Sequence, residues 1–133
     1  MLVQSIRAAR NAAKQVQITK AALRNACGVR SRSDFCPSRS GGGQTDPIAT
    51  VVYIRDKLRA QLKQEEVIAA EKHARMVEML NKVPAPATRA VFYYRYYCGA
   101  KWDAAARKAG LSCSAAKMRC QCYLEQEVTQ DAA

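Results

Sequence analysis

Residues 89–124 read RAVFYYRYYCGAKWDAAARKAGLSCSAAKMRCQCYL, and the order of residue types in this stretch decides the fold. An apolar, aromatic run stops at Cys98-Gly99. Trp102 then opens a short segment with Ala105, Ala106 and Ala109 on its inner side. Gly110 follows, the residue that enters a left-handed turn without steric penalty. Leu111 comes next as an apolar plug. Ser112 is a helix N-cap, with Ser114 a second candidate, because a serine hydroxyl accepts from a free backbone N–H of the first turn. The pattern predicts a helix over about 88–97, a short helix over 102–109, and a basic final helix running to about 128. A short helix joined at a glycine to a basic final helix spells a helix-turn-helix, the module that lays its second helix in the major groove of DNA.

Ala116, Cys120, Tyr123 and Leu124 recur at helical spacing and are the expected inward face of the final helix. That leaves Ser114, Ala115, Lys117, Met118 and Gln121 facing out, as candidate base contacts. Lysine donates to guanine acceptors, glutamine pairs with adenine, and Ala and Met touch the thymine methyl. Lys101, Arg107, Lys108 and Arg119 are candidate phosphate contacts, which fix position without reading sequence. Phe92 and Tyr96, and Tyr93 and Tyr97, lie four apart and form two aromatic stripes. Their expected role is the core of the terminal domain, with stacking on bases as the alternative.

The rest of the chain organises around this segment. Residues 1–28 read as a basic helix with a heptad seam of Leu2, Ile6, Ala9, Ala13, Val16, Lys20, Leu23 and Cys27, closed by Gly28. Its Arg and Lys residues mark the solvated side of a coiled-coil arm or, alternatively, a nucleic-acid-binding helix. Residues 29–45 are rich in Ser, Gly and Arg and read as a flexible loop. Asp46-Pro47 has the form of an N-cap followed by a first-turn proline. It opens a long helix over 46–83, about 55 Å at 1.5 Å per residue. Val51, Ile54, Leu58, Leu62, Ala69, Met76, Leu80 and Val83 give this helix an apolar line, which Glu65 and Glu66 interrupt. Such a stripe needs a partner surface, so the two long helices are expected to form a hairpin or a dimeric coiled coil. Residues 84–128 make the helix-turn-helix domain and 129–133 a tail. The expected class is all-α throughout.

Charge points to a polyanionic partner. The net charge is +11, from 22 basic and 11 acidic residues. Residues 1–40 hold eight basic side chains against one acidic, and residues 84–127 seven against three, whereas the middle is nearly balanced. No run of apolar residues approaches the roughly 20 needed to span a membrane. The six cysteines, at 27, 36, 98, 113, 120 and 122, lack zinc-knuckle spacing, and His73 is the sole histidine. The expectation is reduced thiols, no metal and no cofactor. No phosphate-binding glycine loop, paired-carboxylate site or nucleophile–base pair is apparent, so the expected protein is not an enzyme and has no catalytic residues.

Arg89–Leu124 resembles region 4 of bacterial sigma factors, and still more the small phage and prophage proteins that carry such a domain behind a long helical part. Their segment reads R-x-hydrophobic-x-x-x-R-Y-x-x-G-x-x-W-x-x-I-A-x-x-x-G-Y-S-x-x-x-V. Arg89, Arg95, Tyr96, Gly99, Trp102, Ala106, Gly110 and Ser112 match it. Ala104, Ala105 and Ala116 are smaller than the usual residues, which implies a thinner core filled by Tyr94, Tyr97 and Tyr123. Met118 and Cys113 also depart from the pattern. The resemblance implies a cytoplasmic phage-type transcription regulator of a bacterial host cell. Such a protein binds promoter DNA, with RNA polymerase as a candidate second partner and dimerisation through the long helices. The alternative is a structural class: a helix-turn-helix phage DNA-packaging subunit or adaptor that oligomerises through its helical arm.

Overall fold

The computed structural model describes residues 1–27 and 47–132. The expected Gly28 cap, the loop over 29–45 and the Asp46 N-cap lie outside the described residues. Among those described, the chain is all-helical: α1 Leu2–Cys27, α2 Pro47–Asn81, α3 Pro86–Phe92, α4 Trp102–Ala109 and α5 Cys113–Ala132. A π-helical turn over Tyr93–Tyr97 continues α3. The chain divides into two compact units, one of Met1–Ala12 with Ala69–Ala133 and one of Ala13–Ile68.

The first unit is built on apolar spacing. Leu2, Ile6 and Ala9 of α1 and Met76 and Leu80 of α2, with Val83 beyond it, follow steps of four and three and are all buried. They share a core with Val91, Phe92, Ala105, Ala106, Ala116 and Cys120. The inward positions expected on α4 and α5 are thus inside, with Trp102, Ala109, Tyr123 and Leu124 half-buried around them. Ala105 and Ala116 have no exposed surface, and aromatic rings pack against the same core. Tyr123 meets Phe92 edge-on at 5.8 Å, and Tyr96 stacks on Phe92 at 6.0 Å. Tyr97 stacks on Tyr93 at 5.2 Å, so both expected aromatic stripes exist.

Three boundaries differ from the sequence expectation, the first being that the long helix expected to reach 83 ends at Asn81. The third helix starts at Pro86 instead of 88. Proline sits comfortably in a first turn because its missing N–H would have had no partner there, and Ala85 before it is extended, as a residue preceding proline must be. The helix also leaves the α-helical ladder at its end: the Cys98 N–H donates to the Tyr93 carbonyl at 3.1 Å, five residues back. The final helix, expected to stop near 128, continues to Ala132.

The second unit is held differently. Val16 and Thr19 are its buried positions among the described residues. The seam of α1 therefore passes from Val16 to Thr19, not to Lys20, whose ammonium is exposed and 4.0 Å from Glu66. The Thr19 hydroxyl donates to Oε2 of Glu65. Gln15 and Gln61 donate their amide N–H to Oε1 of the same carboxylate at 3.3 and 2.8 Å. Glu65, which breaks the apolar line in the sequence, is thus the polar centre joining α1 to α2 within one chain. These donors, Thr19 foremost, hold its carboxyl below the usual range. Val51, Leu58 and Leu62 are half-buried, whereas Ile54, expected in the same stripe, is exposed.

Candidate nucleic-acid interface

The turn between α4 and α5 is specified by backbone chemistry. Gly110 has φ +78°, and nothing lies within 4 Å of where its Cβ would be. The Leu111 N–H donates to the Ala106 carbonyl at 2.8 Å and the Gly110 N–H to the Arg107 carbonyl at 3.1 Å. This six-to-one and five-to-two pair is a Schellman closure, which satisfies the last carbonyls of α4. The Ser112 hydroxyl then accepts from the Ala115 N–H at 3.2 Å, so Ser112 caps α5 as the sequence predicts. The helices stay separate across residue 110.

Side chains fix the surroundings of that turn. The Asp103 carboxylate, in the first turn of α4, acts on the Cys113 thiol at the first residue of α5. That carboxylate, ahead of burial, raises the thiol's pKa. Arg95 Nη1 donates to the Ala100 carbonyl at 3.0 Å. Its guanidinium lies 5.9 Å from the centre of the Tyr96 ring and 5.2 Å from Trp102, positions favourable for cation–π attraction. Arg89 Nη2 donates to the Val83 carbonyl at 2.8 Å, across the proline-rich link into α3. Arg89 and Arg95 are therefore staples of the fold. Arg10 of α1 approaches Gly99, a second left-handed glycine, so closely that a Cβ there would meet its guanidinium at 2.7 Å.

The expected reading face is distributed as follows. Ser114, Met118 and Gln121 lie along one exposed line of α5, opposite buried Ala116 and Cys120, and Met118 is 66% exposed. Ala115 is half-buried. Lys117 is exposed but leans to one side. With Gln121 it edges an open groove walled by Tyr96 and Trp102 and floored by Cys120 and Leu124. Burial pushes the Cys120 thiol up to about 11, which keeps that floor neutral. Gln121 donates to Glu125 at 3.1 Å.

Of the expected phosphate contacts, Lys101, Arg107, Lys108 and Arg119 are all exposed. Lys101 immediately precedes α4, where free N–H groups add to its charge. The Lys108 ammonium sits 5.1 Å over the Tyr94 ring, which restrains it near the surface of α3 and α4. Arg119 borders a second groove, on the other side of α5, with Val83 and Thr88. Charge along α5 is segregated: Lys117 and Arg119 lie in its first half, and Glu125, Glu127 and Asp131 in its second. Glu127 is occupied within the unit, accepting from the Leu2 N–H at 3.0 Å.

Sequence reasoning did not find the effect of Asp103 on the Cys113 thiol or the staple roles of Arg89 and Arg95. No local pattern signals a thiol–carboxylate pair, and an arginine between tyrosines reads equally well as a surface charge. His73, expected to be packed or solvated, is exposed and meets Tyr97 edge-on at 6.2 Å. Cys98, Cys113, Cys120 and Cys122 are free thiols, while the side chains of Cys27 and Cys36 lie outside the description. No helix among the described residues is long and apolar enough to cross a membrane. No family model matches the chain, and neither a curated protein nor a solved structure matches it.

Proposed function

We propose that the chain is a sequence-specific DNA-binding regulator of the sigma-region-4-like, phage type, acting by positioning on a promoter and performing no chemistry. One observation carries this reading. The closed turn at Gly110 and the Ser112 cap set α5 apart from α4, with an exposed line of Ser114, Met118 and Gln121 opposite its buried face.

The first half of α5 enters the major groove, where Lys117 and Gln121 read base edges and Ala115 and Met118 touch methyl groups. Lys101, Arg107, Lys108 and Arg119 hold the flanking phosphates. The carboxylates of the second half are repelled by the phosphate backbone, which fixes the direction of insertion. RNA polymerase is the second partner implied by the resemblance.

Binding of the full chain to duplexes selected from a random pool tests this reading. Four phosphate contacts give a slope of log K against log salt of roughly −3.6 for each helix-turn-helix. Lys117→Ala with Gln121→Ala flattens sequence preference, a loss of about 1–3 kcal/mol of discrimination per bidentate contact. Arg107→Ala weakens binding to all duplexes alike. Absence of duplex binding at low salt rejects the reading and leaves the adaptor class.

A further inference from the structure

Beyond the helix-turn-helix, α2 carries a second face that α1 does not use. Tyr53, Asp56, Ala60, Lys63 and Val67 follow steps of three, four, three and four, the spacing of a straight seam along a helix. They lie on the side of α2 away from the half-buried Val51, Leu58 and Leu62. All five are exposed, Tyr53 at 66% and Val67 at 59%.

We propose that this face pairs with the same face of a second copy of the chain, with the two α2 helices running in opposite directions and the two-fold axis near Ala60. The charges choose the occupant and the direction. Parallel, in-register pairing would set Asp56 against Asp56 and Lys63 against Lys63, which is repulsive. Antiparallel pairing sets each Asp56 beside the Lys63 of the other copy, twice by symmetry, because a two-fold contact repeats every pair in reverse. The face is therefore complementary to itself.

Ala60 lies midway between the two charges, and its small side chain lets the helices approach at the axis. Tyr53 and Val67, at opposite ends of the seam, are brought towards each other's copy and lose their exposed apolar surface. Arg59, 3.8 Å from Asp56, flanks the seam and adds cationic charge near both acids. The pairing also supplies what the Ala13–Ile68 unit lacks, a larger area of apolar contact. It stands whether or not α5 reads DNA; if it does, each assembly carries two readers.

Sedimentation equilibrium of the full chain tests this, with circular dichroism to verify helix content. The wild type is expected to be a dimer. Asp56→Lys or Lys63→Asp alone raises the dimer dissociation constant at least tenfold, because each creates like charges on the facing seam. An equimolar mixture of the two variants recovers association as a heterodimer, since one chain then carries two cations and the other two anions. Tyr53→Ser, a surface change on an exposed helix, also weakens the dimer without loss of helicity. A monomeric wild type, a dimer indifferent to both charge reversals, or a mixture no tighter than its components overturns the proposal.

Discussion

The two units of this chain are both helical, but they are held together by different physics. In the unit of Met1–Ala12 and Ala69–Ala133, seven large side chains are fully buried: Phe92, Leu2, Ile6, Met76, Val83, Val91 and Cys120. In the Ala13–Ile68 unit, the buried positions among the described residues are Val16 and Thr19, and a carboxylate sits at the centre of the contact. Apolar burial is non-directional and strengthens with area. A polar junction is directional and depends on the protonation of its acceptor. The first kind of packing suits a unit that holds its last helix at a fixed angle to its neighbours. The second leaves a helix pair that gains from another surface.

Removing the centre of the larger core has the greatest expected effect. Phe92→Ala deletes a fully buried ring that stacks on Tyr96 and meets Tyr123, and costs about 3–5 kcal/mol. Urea unfolding followed by tryptophan fluorescence reports it, because Trp102 belongs to this unit. A loss below about 1 kcal/mol would mean that the core is not the source of this unit's stability.

Next comes the turn. Gly110→Ala meets no atom, so its cost is backbone strain alone, about 1–2 kcal/mol for a left-handed residue with a Cβ. Duplex affinity should fall with it if α5 must keep its angle to α4. An unchanged melting temperature would show that the turn does not need the left-handed conformation.

The smallest effect belongs to the polar junction. The Glu65 carboxyl is held below its ordinary value of 4.5, so its contribution to stability is complete above the unfolded value. That contribution is lost as pH falls through the lower, folded value. Thr19→Val removes the main cause of the shift and should reduce this acid sensitivity, leaving a flatter dependence of melting temperature between neutral pH and about pH 3.5. Equal acid sensitivity in wild type and variant would assign the effect to other carboxylates.

Much of the terminal unit was legible because its signals are local. Gly110, Ser112 and the spacing of Ala116 and Cys120 each act within one or two turns of backbone, and each does in the structure what its chemistry requires. The π-helical turn was not legible, since nothing in five consecutive residues, four of them tyrosines, distinguishes a five-residue step from a four-residue one. The slip of the α1 seam from Lys20 to Thr19 was hidden for a different reason. A heptad pattern offers both positions, and the acceptor that selects Thr19 lies on another helix.

By itself, then, the sequence determined the all-helical class, the break at residue 110, the cap that follows it and the basic character of the first half of α5. These rest on backbone conformation, short-range periodicity and net charge. Tertiary structure alone decided that Arg89 and Arg95 are staples, that Lys117 and Trp102 line one groove, and that Glu65 is a junction instead of an interruption. Arg89 and Arg95 reach carbonyls six and five residues away across chain bends, whereas Glu65 meets Thr19 and Gln15 on another helix; no helical periodicity encodes either kind of partner.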